Sequence, residues 1–314
     1  MLKRVRKTTA FQIIKKSIVG FIGNDSMTFA ASTAFYTIFS MPALLIIILS
    51  IGSAFYVDDN VVREELLSQV AALSGPDTAQ TLDGIIQNVS SDSKGFWART
   101  IAICVLAFSA TTVFVSLQNS INQIWHIKPK PSKGYIKFLI NRLLSFSVVA
   151  SIGFILLVSL VIDAMIVVLF DYLEPLFAGF NALLIKVTNF VLSQALLVVI
   201  FGLMYKILPD AKVKWKDVWL GAFVTMLLFA LGKYLIGIYM GNSDLGTAYG
   251  AAGSLVIVLV WVYYSVVIFL FGAQVTYYIA TEAGGSVIPI KQAVRVEVIE
   301  VDEDGNVMDE NRGE

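Results

Sequence analysis

Six long apolar stretches separated by polar segments dominate the pattern of this chain. An α-helix rises about 1.5 Å per residue, so about 20 mostly apolar residues cross a hydrocarbon core of about 30 Å. The pattern therefore predicts an all-α integral membrane protein with six transmembrane helices. The predicted spans are Thr28–Tyr56, Trp97–Trp125, Leu144–Phe170, Leu183–Leu208, Val218–Met240 and Ser254–Thr281.

Lysine and arginine are divided unequally between the two sides of these spans. One side carries 18 of them, in residues 1–28, in the second-to-third and fourth-to-fifth connections and after the last span, whereas the other side carries 3. Because basic residues are retained in the cytoplasm, this distribution predicts six spans with both termini inside.

Three segments lie outside the predicted spans. Residues 1–28 have apolar positions at near-helical spacing among lysines, which fits either an interfacial helix or an extension of the first span. Residues 57–96 contain two amphipathic stripes and predict a small external helical hairpin. Residues 282–314 are acidic, and their alternating valines fit a short hairpin or a disordered tail equally well. The domain prediction is therefore 1–28, a membrane domain 28–281 and the tail 282–314.

Composition narrows the function classes. The chain is 57% hydrophobic and 15% charged, with a mean hydropathy of +0.77 and a net charge of zero, so nucleic acid is not an expected partner. His126 is the single histidine, and no serine, phosphate-loop or metal-binding motif is present. We therefore expect no enzyme activity, no catalytic residue, no metal and no cofactor.

Three ionisable residues lie within the predicted spans, where charge is costly and usually faces a cavity or a partner. Asp163 and Lys233 fall at the same expected depth in the outer half of the bilayer, which permits an ion pair. Lys186 lies nearer the outer surface. One hypothesis is an outward-open polar cavity that attracts an anionic group. The alternatives are a packing pair and a lysine that extends to the interface.

Two spans carry further candidate substrate or gating residues. The first is polar before Pro42, at Ser32, Tyr36 and Ser40, which fits either a bent or broken helix along a cavity or an ordinary proline kink with hydroxyls bonded to the helix. The second ends with amides that include Asn119 and Asn122, which fit either an inner gate or a hydrated helix end. We expect Trp97, Trp125 and Trp215 to anchor the interface.

Several motifs resemble the YihY/BrkB family of bacterial inner-membrane proteins, once labelled ribonuclease BN. The resemblance covers about residues 10–282. It rests on Asp25–Pro42, Asn119–Trp125, Leu208-Pro209, Val213–Asp217, Gly221-Ala222, Tyr249–Ser254, Trp261 and Gly272–Gln274. It implies a six-span inner-membrane protein, and family members are associated with serum resistance and export of lipid-linked envelope material.

The sequence thus favours a transporter or exporter, including a flippase, of an anionic lipid-like or envelope-related substrate. The alternatives are a channel and a noncatalytic scaffold for envelope assembly. Membrane lipids are expected partners, a small anion is an alternative substrate, and a homo-oligomer is compatible with the sequence.

Overall fold

The computed structural model describes residues 2–53, 59–74, 76–90, 112–130, 181–241, 253–282 and 286–296. Most of these residues are helical. The helices are α1 (Leu2–Gly23), α2 (Ser26–Ser53), α3 (Asp59–Ser74), α4 (Pro76–Ser90), α5 (described over 112–124), α6 (Asn181–Ile207), α7 (Trp215–Gly241) and α8 (Gly253–Glu282). The strands are β1 (Ile127–Pro129), β2 (Ala211–Lys212), β3 (Ile288–Pro289) and β4 (Ala293–Arg295).

Five of the six predicted spans coincide with described helices, α2, α5, α6, α7 and α8. Within the described part of the chain, three stretches are long and apolar enough to cross a membrane: Phe190–Ile207, Trp215–Ile236 and Val258–Glu282. The third predicted span, 144–170, lies outside the described residues. The six-span arrangement and the cytoplasmic termini therefore remain predictions.

Several helix ends meet at one end of the bundle, which we call the basic end. It consists of the α1–α2 turn, residues 125–130, residues 208–214 and residues 286–296, and it includes Lys128, Lys130, Lys212, Lys214, Lys291 and Arg295. α6 ends there because Pro209 cannot continue the helix. α7 begins there with Asp217 in its first turn, where a carboxylate offsets the helix dipole.

Residues 286–296, which we call the strap, pair with two connections that lie far apart in sequence. β4 is antiparallel to β1, with Val294 opposite Lys128, and β3 is antiparallel to β2, with Ile288 opposite Lys212. The described beginning of the predicted tail is therefore paired with two connections between helices, and the tail as a separate domain stays a prediction. Asp304-Gly305, the predicted turn, lies outside the described residues.

The core joins α6, α7 and α8. Where α7 meets α8, a Cβ atom on Gly221 would lie 1.8 Å from Thr276 Oγ1, and one on Gly272 would lie 1.9 Å from Thr225 Oγ1. We call these four residues the seam. Tyr205 of α6 extends this contact, because its hydroxyl bonds to Thr225 Oγ1 at 2.9 Å and to the Phe269 carbonyl at 2.7 Å.

The segment predicted to form an external hairpin contains two helices, α3 and α4, which pack against each other and against α2 and α8. Its external position stays a prediction. Pro76 is the first residue of α4, where its missing N–H is tolerated. Leu82 and Ile86 form a small buried cluster, and Arg63 Nε donates to Asp83 Oδ1 at 2.6 Å. This hairpin has its own apolar contacts and one ion pair.

The N-terminal segment forms a helix distinct from the first span. α1 ends at Gly23, α2 begins at Ser26, and Asp25 between them has a φ of 51°. One face of α1 packs on α8, and Lys16 pairs with Glu282. Another face exposes the apolar side chains Phe11, Ile14, Ile18 and Ile22. α1 is thus a separate helix, and its position at the membrane interface stays a prediction.

Candidate functional site

The polar centre of the basic end is Asp210, in the turn that follows α6. Gln118 Nε2 donates to Asp210 Oδ1 at 3.3 Å, and Asn122 Nδ2 donates to Asp210 Oδ2 at 3.1 Å. The Asp210 N–H in turn donates to Asn122 Oδ1 at 2.9 Å. These three residues, which we call the amide lock, connect α5 to the segment between α6 and α7.

The amide lock is largely removed from solvent. Asn122 is 3% exposed and Gln118 is 8% exposed, whereas Asp210 is half-buried. Among the described residues, neither ion pair involves Asp210. The carboxylate is therefore held by neutral donors, and hydrogen bonds to a charged group are stronger than those between neutral groups.

Trp125 fixes the same end of α5 to α8. Its Nε1 donates to the Ala273 carbonyl at 2.9 Å, and the side chain is 1% exposed. The prediction of an interfacial anchor is wrong for Trp125, because the indole lies in the core. Trp215 is 45% exposed and stacks on Trp219, as expected of an interfacial residue. Trp97 lies outside the described residues.

The chain turns sharply after α5 at His126. Its φ is 55°, and its N–H donates to the Gln123 carbonyl, which ends the helix. The His126 carbonyl accepts a hydrogen bond from Val296 N at 2.8 Å, so the strap closes over the turn. Burial, together with the charge of Arg295, lowers the pKa of His126 below its usual value. The imidazole also packs edge-on against Tyr277.

A cavity of about 350 Å³ lies between the end of α5 and the strap. Its described lining residues are Asn119, Asn122, Gln123, His126, Ile127, Lys128, Pro129 and Val296. Asn119 and Gln123 are exposed, whereas the Asn122 amide is engaged with Asp210. The structure therefore brings Asn119 and Asn122, both predicted gating residues, to the wall of one cavity.

The sequence model of a family described as Virulence factor BrkB matches residues 17–294. This chain belongs to the BrkB family. The matched range covers the amide lock, the seam and most of the strap, so these features lie within the BrkB-family region.

Relatives of this BrkB-family chain are named as UPF0761 membrane proteins. One from Psychrobacter sp. is 26% identical over 90% of the chain and 51% of the relative. One from Rhodospirillum centenum is 28% identical over 88% of the chain and 60% of the relative. One from Haemophilus influenzae is 28% identical over 78% of the chain and 86% of the relative. The chain thus matches about half to three fifths of the length of the first two. No solved structure matches.

The first-span candidates of this BrkB-family chain do not share one environment. Ser40 is buried and donates to the Thr37 carbonyl, whereas Ser32 is exposed and donates to the Phe29 carbonyl. Tyr36 is 43% exposed. α2 is continuous through Pro42, so the prediction of a broken helix is wrong. Hydroxyls bonded back to their own helix match the ordinary alternative.

The predicted charged site of the outer half remains a prediction. Asp163 lies outside the described residues, and Lys186 lies in α6 with its side chain outside the description. Lys233 is on α7, exposed and engaged in an interaction of its own. The structure therefore does not test the Asp163–Lys233 pair.

Sequence reasoning missed two features of this BrkB-family chain. Asp210 lies among lysines in the sequence and was not a candidate, yet it accepts hydrogen bonds from two side-chain amides. The seam was also missed, because none of its four residues was a candidate in the sequence. Its signal was present as glycine and threonine four residues apart, in Gly221 with Thr225 and Gly272 with Thr276.

Proposed function

We propose that this chain is an inner-membrane transporter, as an exporter or flippase, of an anionic lipid-like or envelope-related substrate. The observation that carries the proposal is the amide lock. A carrier must close one end of its pathway while the other is open, and the closure must be reversible. Side-chain hydrogen bonds around Asp210 suit this role, because water can replace them when the end opens.

The connections made by the amide lock support its assignment as the inner gate. Gln118 and Asn122 lie one turn apart on α5, and both reach the segment that joins α6 to α7. Asn122 also lines the cavity. Separation of α5 from Asp210 would therefore release the Asn122 side chain at the cavity wall.

Charge supports an anionic substrate. At the basic end, cationic side chains outnumber anionic ones. Anionic headgroups are attracted to such surfaces. In this proposal Asp163, Lys186 and Lys233 act at the opposite half, as gating or substrate contacts. No catalytic step is assigned to any residue, and no cofactor is required.

The test is flux in proteoliposomes with fluorescent anionic lipids and small anions. Asn122→Asp places a second carboxylate beside Asp210, and like charges at hydrogen-bonding distance repel. We expect it to change flux by about tenfold or more, a barrier change of about 1.4 kcal/mol. The double variant Asn122→Asp with Asp210→Asn restores an amide–carboxylate pair and should return flux to within about twofold of wild type.

Gln12→Ala, an exposed amide on α1, is the matched control and should leave flux unchanged. Saturable flux that follows this pattern supports a carrier. Very high unitary flux would favour a channel, and folded protein that moves nothing across the panel would favour a scaffold. Flux that is equal in wild type, Asn122→Asp and the double variant would remove the gate from the proposal.

A further inference from the structure

The cavity beside the amide lock has its own set of polar groups. The exposed amides of Asn119 and Gln123, the imidazole of His126 and the ammonium of Lys128 all lie on its wall. Its volume of about 350 Å³ falls within the range of roughly 300–1,000 Å³ that is usual for small-molecule sites. The cavity can therefore hold a ligand the size of a small headgroup.

The charge around this cavity has one sign. Its described lining residues include Lys128 and no carboxylate. Arg295 lies close enough to His126 to lower the pKa of that imidazole, and it donates to the Tyr277 hydroxyl at 3.2 Å. Asp210 is not among the described lining residues, and its carboxylate is engaged by Gln118 and Asn122. An entering anion would therefore meet donors and positive charge.

We propose that this cavity is a binding site for a phosphate-bearing anion, with Lys128 as the charged contact and the amides of Asn119 and Gln123 as donors. Phosphate oxygens accept several such hydrogen bonds at once. Ile127, Pro129 and Val296 supply apolar surface beside them. The phosphate belongs to a lipid headgroup or to a soluble phosphate. The role of the site as the entry point for substrate rests on the transport proposed above, whereas binding itself does not.

The experiment measures binding separately from flux. Purified full-length protein is placed in nanodiscs of phosphatidylcholine with or without phosphatidylglycerol, and retained lipids are counted by native mass spectrometry. A second arm titrates inorganic diphosphate in phosphatidylcholine nanodiscs. Lys128→Gln removes the charge but keeps most of the side chain. Lys212→Gln is the matched control, because Lys212 is an exposed strand lysine at the same end that does not line the cavity.

We expect Lys128→Gln to weaken binding by about fivefold to tenfold and Lys212→Gln to leave it within about twofold. Asn119→Ala is a second variant with a smaller expected loss of about threefold, and thermal melting verifies that each variant is folded. A Lys128-dependent signal in the phosphatidylglycerol arm identifies a lipid headgroup, and one in the diphosphate arm identifies a soluble phosphate.

Two results would overturn the site: no binding in either arm, or binding that Lys128→Gln and Asn119→Ala leave unchanged. Wild-type flux is recorded on the same preparation. Binding without flux retains this site and removes the transport proposal. Flux without binding retains the transport proposal and removes this site.

Discussion

Where α7 meets α8, two glycines bring the helices into direct contact, whereas at the basic end α5 is held to the segment after α6 by amides on a carboxylate. At the seam a threonine hydroxyl fills the space beside each glycine. At the amide lock the partners are joined through Asp210. Separation of the seam would leave voids that nothing refills, whereas water can satisfy the groups of the lock. The comparison assigns rigidity to the seam and reversible opening to the lock.

The largest effect should come from closing the space at the seam. Gly221→Ala would place a methyl group 1.8 Å from Thr276 Oγ1 and 3.2 Å from Thr276 Cα. We expect a loss of about 3 kcal/mol in stability and a fall of about 10 °C in Tm in detergent, because α7 and α8 must move apart. Gly23→Ala is the control, since nothing lies within 4 Å of its added Cβ atom. Equal melting of the two variants would contradict the tight seam.

A smaller effect should follow removal of one side of the lock. Asn122→Ala deletes two hydrogen bonds with Asp210. Asn122 Nδ2 donates one to the Asp210 carboxylate, and Asn122 Oδ1 accepts the other from the Asp210 N–H. We expect a loss of about 2 kcal/mol and a fall of about 6 °C in Tm. Asn119→Ala, one turn away on an exposed position, should change Tm by less than about 2 °C. If both alanine variants have the same Tm as wild type, the contact between Asn122 and Asp210 does not stabilise the protein.

The connection of α5 to α8 offers an intermediate probe. Trp125→Phe removes the hydrogen bond to the Ala273 carbonyl and part of a buried ring. The expected loss is about 1–2 kcal/mol, measured again by thermal melting. Trp215→Phe should cost much less, because Trp215 is 45% exposed. A larger loss at Trp215 than at Trp125 would reverse the assignment of core and interface.

The smallest effect concerns pH. Burial and Arg295 lower the pKa of His126 in the folded protein, so the unfolded chain binds a proton more readily. Stability should therefore be highest above the unfolded value of about 6.5 and should fall as pH drops through that value towards the lowered pKa. His126→Asn removes this contribution and tolerates the positive φ. A Tm series from pH 8 to 5 should be flatter for the variant, and parallel curves would refute the prediction.

The helices could be predicted from the sequence because their apolar lengths are set by the membrane. α6 spans Asn181–Ile207 where the pattern predicted Leu183–Leu208. Asn122 could also be singled out, because an amide at the end of an apolar span is unusual. Its partner could not, since Asp210 lies 88 positions away and sits among lysines that give no hint of an amide-bound carboxylate.

Two further features escaped prediction for other physical reasons. Strands of two or three residues are too short to identify their partners, so the alternating valines of the tail gave no indication that β4 pairs with β1. Trp125 matched the pattern of an interfacial tryptophan, since it follows an apolar span. Its burial depends on the approach of α8, which only the fold reveals.

The strap sets an order of events during synthesis. Its strands pair with β1 and β2, which leave the ribosome long before residues 286–296 exist. Contacts between such distant segments form late in folding. The sheets at the basic end must therefore be completed after the described helices have been made, and until then the N–H and C=O groups of β1 and β2 lack the partners that the strap supplies. A quality-control protease that recognises unpaired strands would have access to this end only during that interval.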